Sequence, residues 1–371
     1  VLMKKLYQTK VLAWIGSVVL ISVLVFLLLS WLIPTFKAPE AEKQLYTIRH
    51  QELRDNNPLY TDLFLKSIKR NNGYLVLGTS ESNTLPHGNY YDFLNADTTL
   101  PCKFSVVAGA GRTPCTYFPL IQSNDNIEGV KILFFINPRY WSDRLANSNK
   151  EYFDRYVSAV EYQRANRPKN QRVDNILKVN RKNTTLSYRI GEWGYFVLDR
   201  ARRKYYQDLI FDLNPKKFQK SLHHFWTRPG FDKYPNFGKV DSAAYDFRYN
   251  VALPVEPHLG ALSVDTSITY RYDELHTMIA LCKEHHVDIA FIVGPYNQIA
   301  LQKTCPQEIP KLEMVCRNIK QMCQQEGVPY IDVTDISDQL GAFNDYQHHS
   351  SYGAYLIYQK IKEYVLEKEN R

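Results

Sequence analysis

Five short segments of the chain are mainly apolar and are followed by turn-forming residues. They are Tyr74–Leu77, Phe104–Val107, Lys131–Ile136, Asp288–Val293 and Val328–Val333. Apolar runs of this length, without regular polar alternation, are typical of strands covered on both faces, as in a parallel sheet. The pattern therefore predicts five buried strands.

Apolar residues recur at helical spacing between and after these runs. The predicted helices are Pro119–Ser123, Arg271–His286, Lys311–Gly327 and Ser350–Leu366. Gly327 and Pro329 follow the third of them and indicate where it ends. Because strands and helices alternate along the chain, we expect an α/β domain with a doubly wound, mostly parallel sheet in three layers.

The longest apolar run lies near the amino terminus, at Val11–Ile33, and has 23 residues. At about 1.5 Å per residue, a helix of this length can cross a hydrocarbon core of about 30 Å. Lys4, Lys5 and Lys10 precede the run, and this bias predicts a cytoplasmic amino terminus. A cleaved signal peptide is the alternative, but its apolar region would be shorter, at about 7 to 15 residues. We expect a single uncleaved transmembrane helix with the main domain outside the cell.

These patterns divide the chain into three parts. Residues 1–34 are interpreted as a cytoplasmic tip and membrane anchor, residues 35–70 as a connecting arm, and residues 71–371 as an extracytoplasmic domain. Within that domain, the segment 145–262 does not follow the strand and helix alternation. We interpret this segment as a helical insertion.

The insertion is strongly basic. Between Gln163 and Lys204 there are twelve Lys and Arg residues and three Asp and Glu residues, in a chain whose net charge is +8. Such a surface attracts anions. Arg200, Arg202, Arg203 and Lys204 are the candidate binding residues for an anionic envelope polymer or lipid surface. Nucleic acid is not expected as a partner, because the domain is predicted to lie outside the cytoplasm. An ordinary solvated helical face is the alternative.

Candidate chemistry begins at the end of the first predicted strand. Gly78 allows a sharp turn there, and it places Ser80 where ligands of parallel sheets collect, at the carboxyl end of a strand. A serine hydroxyl is a weak nucleophile that needs a histidine as base and a carboxylate to orient that histidine. Asp345 and His348, three residues apart before the last helix, are suited to these two roles. An ordinary serine-rich turn is the alternative.

Other polar residues near these positions have simpler interpretations. The spacing from Asp345 favours His348 over His349 as the base, and Glu81 is interpreted as a local hydrogen-bonding partner. The six cysteines do not have the spacing of a metal site, and we expect neither a metal nor a cofactor. Cys102 and Cys115 either form a disulfide bridge or remain buried free thiols.

Four motifs in this order resemble those of the DltD family of D-alanyl-lipoteichoic acid biosynthesis proteins, within the SGNH hydrolase superfamily. They are Gly78-Thr79-Ser80-Glu81, the glycine-rich Val107–Thr113, the strand end Phe291–Asn297, and Asp345 with His348. The family more often has a serine before Pro138. Asn137 stands there in this chain, as in the wider superfamily.

The resemblance implies an SGNH hydrolase-like fold and a Ser80–His348–Asp345 triad that forms an acyl-serine intermediate. By the same pattern, the backbone N–H groups of Ser80 and Gly111 and the side-chain amide of Asn137 would stabilise the oxyanion, with Gly109 as an alternative to Gly111. The implied function is D-alanylation of teichoic acid by a membrane-anchored enzyme.

The implied partners are a membrane-bound O-acyltransferase similar to DltB, a small acyl-carrier protein acting through it, and an anionic polymer such as lipoteichoic acid. Two other functions remain open. One is a noncatalytic adaptor that presents polymer or carrier to the membrane acyltransferase. The other is an O-acetyltransferase or esterase that acts on an exopolysaccharide.

Overall fold

The computed structural model describes residues 2–32, 65–66, 68–82, 85, 88–108, 113–122, 125–142, 170–180 and 263–370. The chain divides into two units. Helix α1, Leu2–Leu32, belongs to the first unit, and every other described helix and strand belongs to the second. Most of the predicted arm and of the predicted insertion lies outside the described residues, so these domain boundaries stay predictions.

The predicted amino-terminal helix is present as α1 and extends beyond the apolar run on its amino-terminal side. Several of its large apolar side chains are exposed, among them Leu12 and Trp14. In the part of the chain that the structure describes, no helix has the combined length and apolar character needed to cross a membrane. The predicted transmembrane anchor therefore stays a prediction.

The second unit contains a five-stranded sheet in which every strand pair is parallel. Its strands are β1 (Tyr74–Gly78), β2 (Phe104–Ala108), β3 (Lys131–Ile136), β4 (Asp288–Val293) and β5 (Tyr330–Asp332). Their order across the sheet is β2-β1-β3-β4-β5. All five predicted strands are present, and the prediction of an α/β fold with a parallel sheet is confirmed. The last strand is shorter than predicted.

Helices α2 to α8 connect or flank the strands. They are α2 (Tyr90–Ala96), α3 (Phe118–Gln122), α4 (Gln171–Asn180), α5 (Tyr270–Glu284), α6 (Gln298–Thr304), α7 (Ile309–Glu326) and α8 (Ser351–Glu369). The four helices predicted in this unit correspond to α3, α5, α7 and α8. Gly327 closes α7 with a left-handed backbone at φ 66°, a conformation that glycine adopts without a steric penalty.

Helices cover both faces of the sheet, which explains why its strands are apolar without alternation. On one face, Tyr74 and Val76 of β1 belong to a buried cluster with Phe93 of α2 and Ile357 of α8. On the other face, the ring of Phe134 packs edge-on against Tyr117, which precedes α3. Burial of apolar surface on two sides provides the main stabilisation of such a sheet.

Cys102 and Cys115 are buried and are not bonded to each other, so the structure does not contain the disulfide considered from the sequence. Cys102 lies in the core cluster that includes Phe104. Cys115 hydrogen-bonds to Thr113 at 3.1 Å, and burial raises the pKa of its thiol. The two sulfur atoms occupy separate packing environments, and both behave as small apolar groups.

Candidate active site

The first component of the candidate site is Ser80, which follows β1 at the carboxyl edge of the sheet. It begins a short 3-10 helix, Ser80–Ser82, and is partly exposed. A Cβ atom at Gly78 would overlap the Ser82 hydroxyl and press on Phe135 of the neighbouring strand. Glycine is therefore needed at position 78 for the close turn that presents Ser80.

The second component is the loop between β5 and α8, which carries Asp345 and His348. Asp345 Oδ1 accepts hydrogen bonds from the backbone N–H groups of Gln347 and His348, at 2.8 and 2.7 Å. These bonds form a compact turn. Its geometry places the Asp345 carboxylate beside the imidazole of His348, as the three-residue spacing suggested.

Ser80, His348 and Asp345 form one hydrogen-bonded chain. His348 Nε2 lies 2.7 Å from Ser80 Oγ, and His348 Nδ1 lies 2.6 Å from Asp345 Oδ2. The structure thus joins a residue near the start of the sheet to two residues close to the end of the chain. This is the arrangement of nucleophile, base and orienting carboxylate that acyl transfer by a serine requires.

Electrostatics favour an ionised Asp345 and a basic His348. Burial raises the pKa of Asp345, but the hydrogen bonds from His348 and from backbone N–H groups outweigh burial and lower it. Burial lowers the pKa of His348, but the hydrogen bond with Asp345 and the charge of Glu81 outweigh burial and raise it. Because Asp345 accepts only, Nδ1 of His348 carries a hydrogen, and Nε2 of the neutral ring can accept the hydrogen of Ser80.

Asn297 holds this loop against the sheet. Its side-chain amide donates to the backbone oxygen of Asp345 at 2.9 Å, and its backbone N–H donates to Tyr346 at 3.2 Å. Its side-chain oxygen accepts from Ala300 and caps α6. The sequence marked Asn297 only as part of a strand-end motif. Its contact with the Asp345 loop depends on a residue 48 positions away, which no local pattern indicates.

His349, the neighbour of His348, points elsewhere. Its Nε2 lies 2.8 Å from the side-chain oxygen of Asn89, which precedes α2. Burial lowers the pKa of His349 to about 3, so its ring is neutral. His349 is therefore a buried packing residue between Tyr90 and Phe135, and His348 is the histidine that hydrogen-bonds to Ser80.

The start of α8 fixes the position of both histidines. Ser350 caps the helix by accepting from Gly353 N at 3.1 Å, and it donates to the backbone oxygen of Gly341 at 2.6 Å. A Cβ atom at Gly353 would overlap the carbonyl group of Ala342 and press on His349. The absence of a side chain at position 353 lets the loop approach the helix closely.

Glu81 organises the floor of the site. It is 2% exposed, and its carboxylate accepts hydrogen bonds from the Asn137 amide and the Tyr140 hydroxyl, the latter at 3.2 Å. Burial raises the pKa of Glu81. The sequence predicted only a local hydrogen-bonding role for Glu81. The structure adds Asn137 and Tyr140 as partners. Both follow β3, and only the strand order brings them beside Glu81.

Asn137 is held on both sides. Its amide nitrogen donates to Glu81, and its oxygen accepts from Arg139 N at 2.9 Å. An amide carries two hydrogens, and a role in stabilising an oxyanion requires the second one. The structure places Asn137 at the carboxyl end of β3, which pairs directly with β1. Its predicted role as an oxyanion donor stays a prediction.

Arg139 is a further charged residue that the sequence did not single out. Its guanidinium group is buried, and within the described part of the chain Nε and Nη1 have no hydrogen-bond partner. Burial lowers the pKa of Arg139, although Glu308 and Asp345 oppose that shift. Arg139 therefore adds positive charge beside the loop that carries Asp345.

The other predicted site residues lie outside the part of the chain that the structure describes. They are Gly111, its alternative Gly109, and the basic residues Arg200, Arg202, Arg203 and Lys204. Their roles stay predictions.

Comparison with known proteins adds one family. Residues 263–366 match the family model described as DltD protein. The chain has no significant match among curated proteins. The matched region extends from the residues before α5 into α8 and contains Asn297, Asp345 and His348, whereas Ser80 lies outside it. The carboxyl-terminal part of the chain, residues 263–366, is therefore similar to the DltD protein family.

Proposed function

We propose that this chain is a serine-dependent acyltransferase that carries D-alanine to teichoic acid through an acyl-Ser80 intermediate. The observation that supports the chemistry best is the hydrogen-bonded chain in which His348 lies 2.7 Å from Ser80 Oγ and 2.6 Å from Asp345. The DltD family takes part in the D-alanylation of teichoic acid, and the match supports an involvement of this chain in that process.

The proposed reaction has two steps. In the first, Ser80 Oγ attacks the acyl carbonyl of an ester or thioester while His348 Nε2 takes its proton, and the leaving group departs with that proton. In the second, a polymer hydroxyl gives its proton to His348 and attacks the acyl-Ser80 ester; the bond from the carbonyl carbon to Oγ breaks, and Ser80 Oγ takes that proton from His348. Asp345 keeps the His348 ring in the useful tautomer throughout. The predicted oxyanion donors are Asn137 and the backbone N–H groups of Ser80 and Gly111.

The partial exposure of Ser80 and of the His348 and Asp345 side chains, at 32% and 39%, supports access for a large acceptor such as a polymer. The proposed partners are a membrane-bound O-acyltransferase similar to DltB, an acyl-carrier protein that acts through it, and lipoteichoic acid. The basic residues Arg200 to Lys204 would hold the anionic polymer.

Proteins of the DltD family act in the cell envelope. We propose further that α1 attaches this chain to the outer surface of the cell membrane. The support is the exposure of its apolar side chains, 67% for Leu12 and 71% for Trp14, which an apolar environment would cover. The full chain is expected to sediment with membranes and to stay there in high salt, whereas a chain without residues 1–34 is expected to be released. Release of both chains, or retention of both, would contradict attachment through α1.

A serine-directed fluorophosphonate probe tests the chemistry most directly. The wild-type protein is expected to be labelled at Ser80, because His348 makes this hydroxyl nucleophilic, and peptide mass spectrometry would locate the adduct. Ser267→Ala, a change at an exposed serine, should leave labelling unchanged. If the protein were a noncatalytic adaptor, it would not be labelled, and cells carrying Ser80→Ala would D-alanylate teichoic acid normally.

A further inference from the structure

Glu81 is a buried carboxylate next to the proposed nucleophile. Its Oε2 atom lies 3.4 Å from Ser80 Oγ, and its Oε1 atom accepts from the Asn137 amide. Ser80 is partly exposed, whereas Glu81 is enclosed. A group attached to Ser80 Oγ would therefore have Oε2 of Glu81 within its immediate reach.

Oε2 keeps capacity to accept a hydrogen bond. The single hydroxyl hydrogen of Ser80 is directed to His348 Nε2, which is closer at 2.7 Å, and the Tyr140 hydroxyl at 3.2 Å is then the donor to Oε2. A carboxylate has about four acceptor positions on its two oxygens. The donors to the Glu81 carboxylate are Asn137, Tyr140 and the backbone N–H of Glu81 itself, and three donors leave room for one more, in the direction of Ser80.

Among the described residues, Glu81 also has no counter-ion close by. Within the described part of the chain, no Lys, Arg or His nitrogen lies within ion-pair distance of its carboxylate, although His348 and Arg139 act on it at longer range. Burying a carboxylate without a paired cation is unfavourable. A cation delivered with the substrate would offset that cost and favour the ionised form of Glu81.

The proposed acyl group carries such a cation. In an aminoacyl ester the nitrogen is separated from the ester oxygen by two carbon atoms, and an α-amino group with a pKa of about 8 is protonated at neutral pH. We propose that Glu81 is a specificity-determining residue that binds the protonated α-amino group of the acyl group on Ser80. This inference rests on the proposed function and adds a recognition site for aminoacyl over neutral acyl groups.

Glu81 also supports Asn137 and Tyr140, so a loss of activity alone would not separate recognition from structure. Two thioesters of N-acetylcysteamine separate them. The D-alanyl and D-lactyl thioesters have the same shape. The first carries an ammonium group where the second carries a hydroxyl group. A positioning role affects the two substrates equally, whereas a charge-recognition role affects only the first.

The experiment measures thiol release and acyl-Ser80 formation with both thioesters, for the wild type and for Glu81→Gln. The wild type is expected to form acyl-Ser80 faster from the D-alanyl thioester than from the D-lactyl thioester. The glutamine in Glu81→Gln can still accept from Asn137 but has no charge. This variant is expected to lose between about tenfold and about hundredfold of the preference, the value of a hydrogen bond to a charged group. Tyr140→Phe removes a hydrogen-bond donor to Glu81 but leaves the charge of Glu81 in place, and this variant should slow both reactions by the same factor.

The outcomes distinguish the two proposals. If the wild type forms acyl-Ser80 equally fast from both thioesters, the assignment of Glu81 is wrong, whatever the variant does. The same holds if Glu81→Gln slows both reactions by one factor. If neither thioester acylates the wild type, the proposed function itself is contradicted. Thermal unfolding of each variant checks that it is folded. If Glu81→Gln does not fold, equal wild-type rates with the two thioesters would still overturn the assignment.

Discussion

Ser80→Ala and His348→Ala are each expected to reduce D-alanine transfer to teichoic acid by about 10⁴-fold or more. Ser80 Oγ forms the bond to the acyl group, and His348 Nε2 lies 2.7 Å from it, closer than the Glu81 carboxylate at 3.4 Å. Because the two residues act as one unit, the double variant should be little worse than either single variant. The measurement is the D-alanine content of teichoic acid in cells that carry each variant.

Both side chains lie at the carboxyl edge of the sheet and are partly exposed, so their removal should leave the fold intact. His285→Ala, at the end of α5 and outside the candidate site, serves as the matched histidine control and should retain full transfer. Normal D-alanylation by Ser80→Ala, with the variant present at the wild-type level, would exclude an acyl-Ser80 intermediate.

Asp345→Asn is expected to lower the rate by about 10⁴-fold at neutral pH and to move the acid limb of the pH–rate profile to lower pH. In the wild type, His348 acts as a base only when neutral, and its pKa is raised above the ordinary value of 6.5. The rate should therefore rise with pH through a window centred above 6.5. Asparagine removes the charge and the acceptor at Nδ1 that raise this pKa, while burial, which lowers it, remains.

The rate of fluorophosphonate labelling as a function of pH measures both effects for Asp345→Asn. Asp338→Asn, at an exposed carboxylate in the preceding loop, is the matched control and should leave the profile unchanged. An acid limb that stays in place, or moves to higher pH, would show that Asp345 does not set the protonation of His348.

Local pattern was sufficient for much of the fold. The strands Tyr74–Leu77 and Asp288–Val293 could be recognised because a strand covered on two faces is apolar throughout, and the last helix because its apolar side repeats over several turns. The end of α7 was marked by Gly327, whose left-handed backbone is a local requirement. The short helices α2 and α6, of seven residues each, were not predicted, because two turns carry too little periodicity and both depend on side-chain caps, from Asn89 and Asn297.

The sequence by itself determined which residue types are available for acyl transfer: a serine after a glycine turn, and an aspartate three residues before a histidine. It also determined the parallel α/β class, because each strand is mainly apolar without alternation, as burial on both faces requires. Only the tertiary structure decided which of these residues meet. The strand order places β3 beside β1, and so brings Asn137 and Tyr140 to Glu81, while Asn297 fixes the loop that carries His348 to Ser80. Periodicity reports the environment of a segment, whereas the partner of a side chain depends on contacts between segments far apart in the chain.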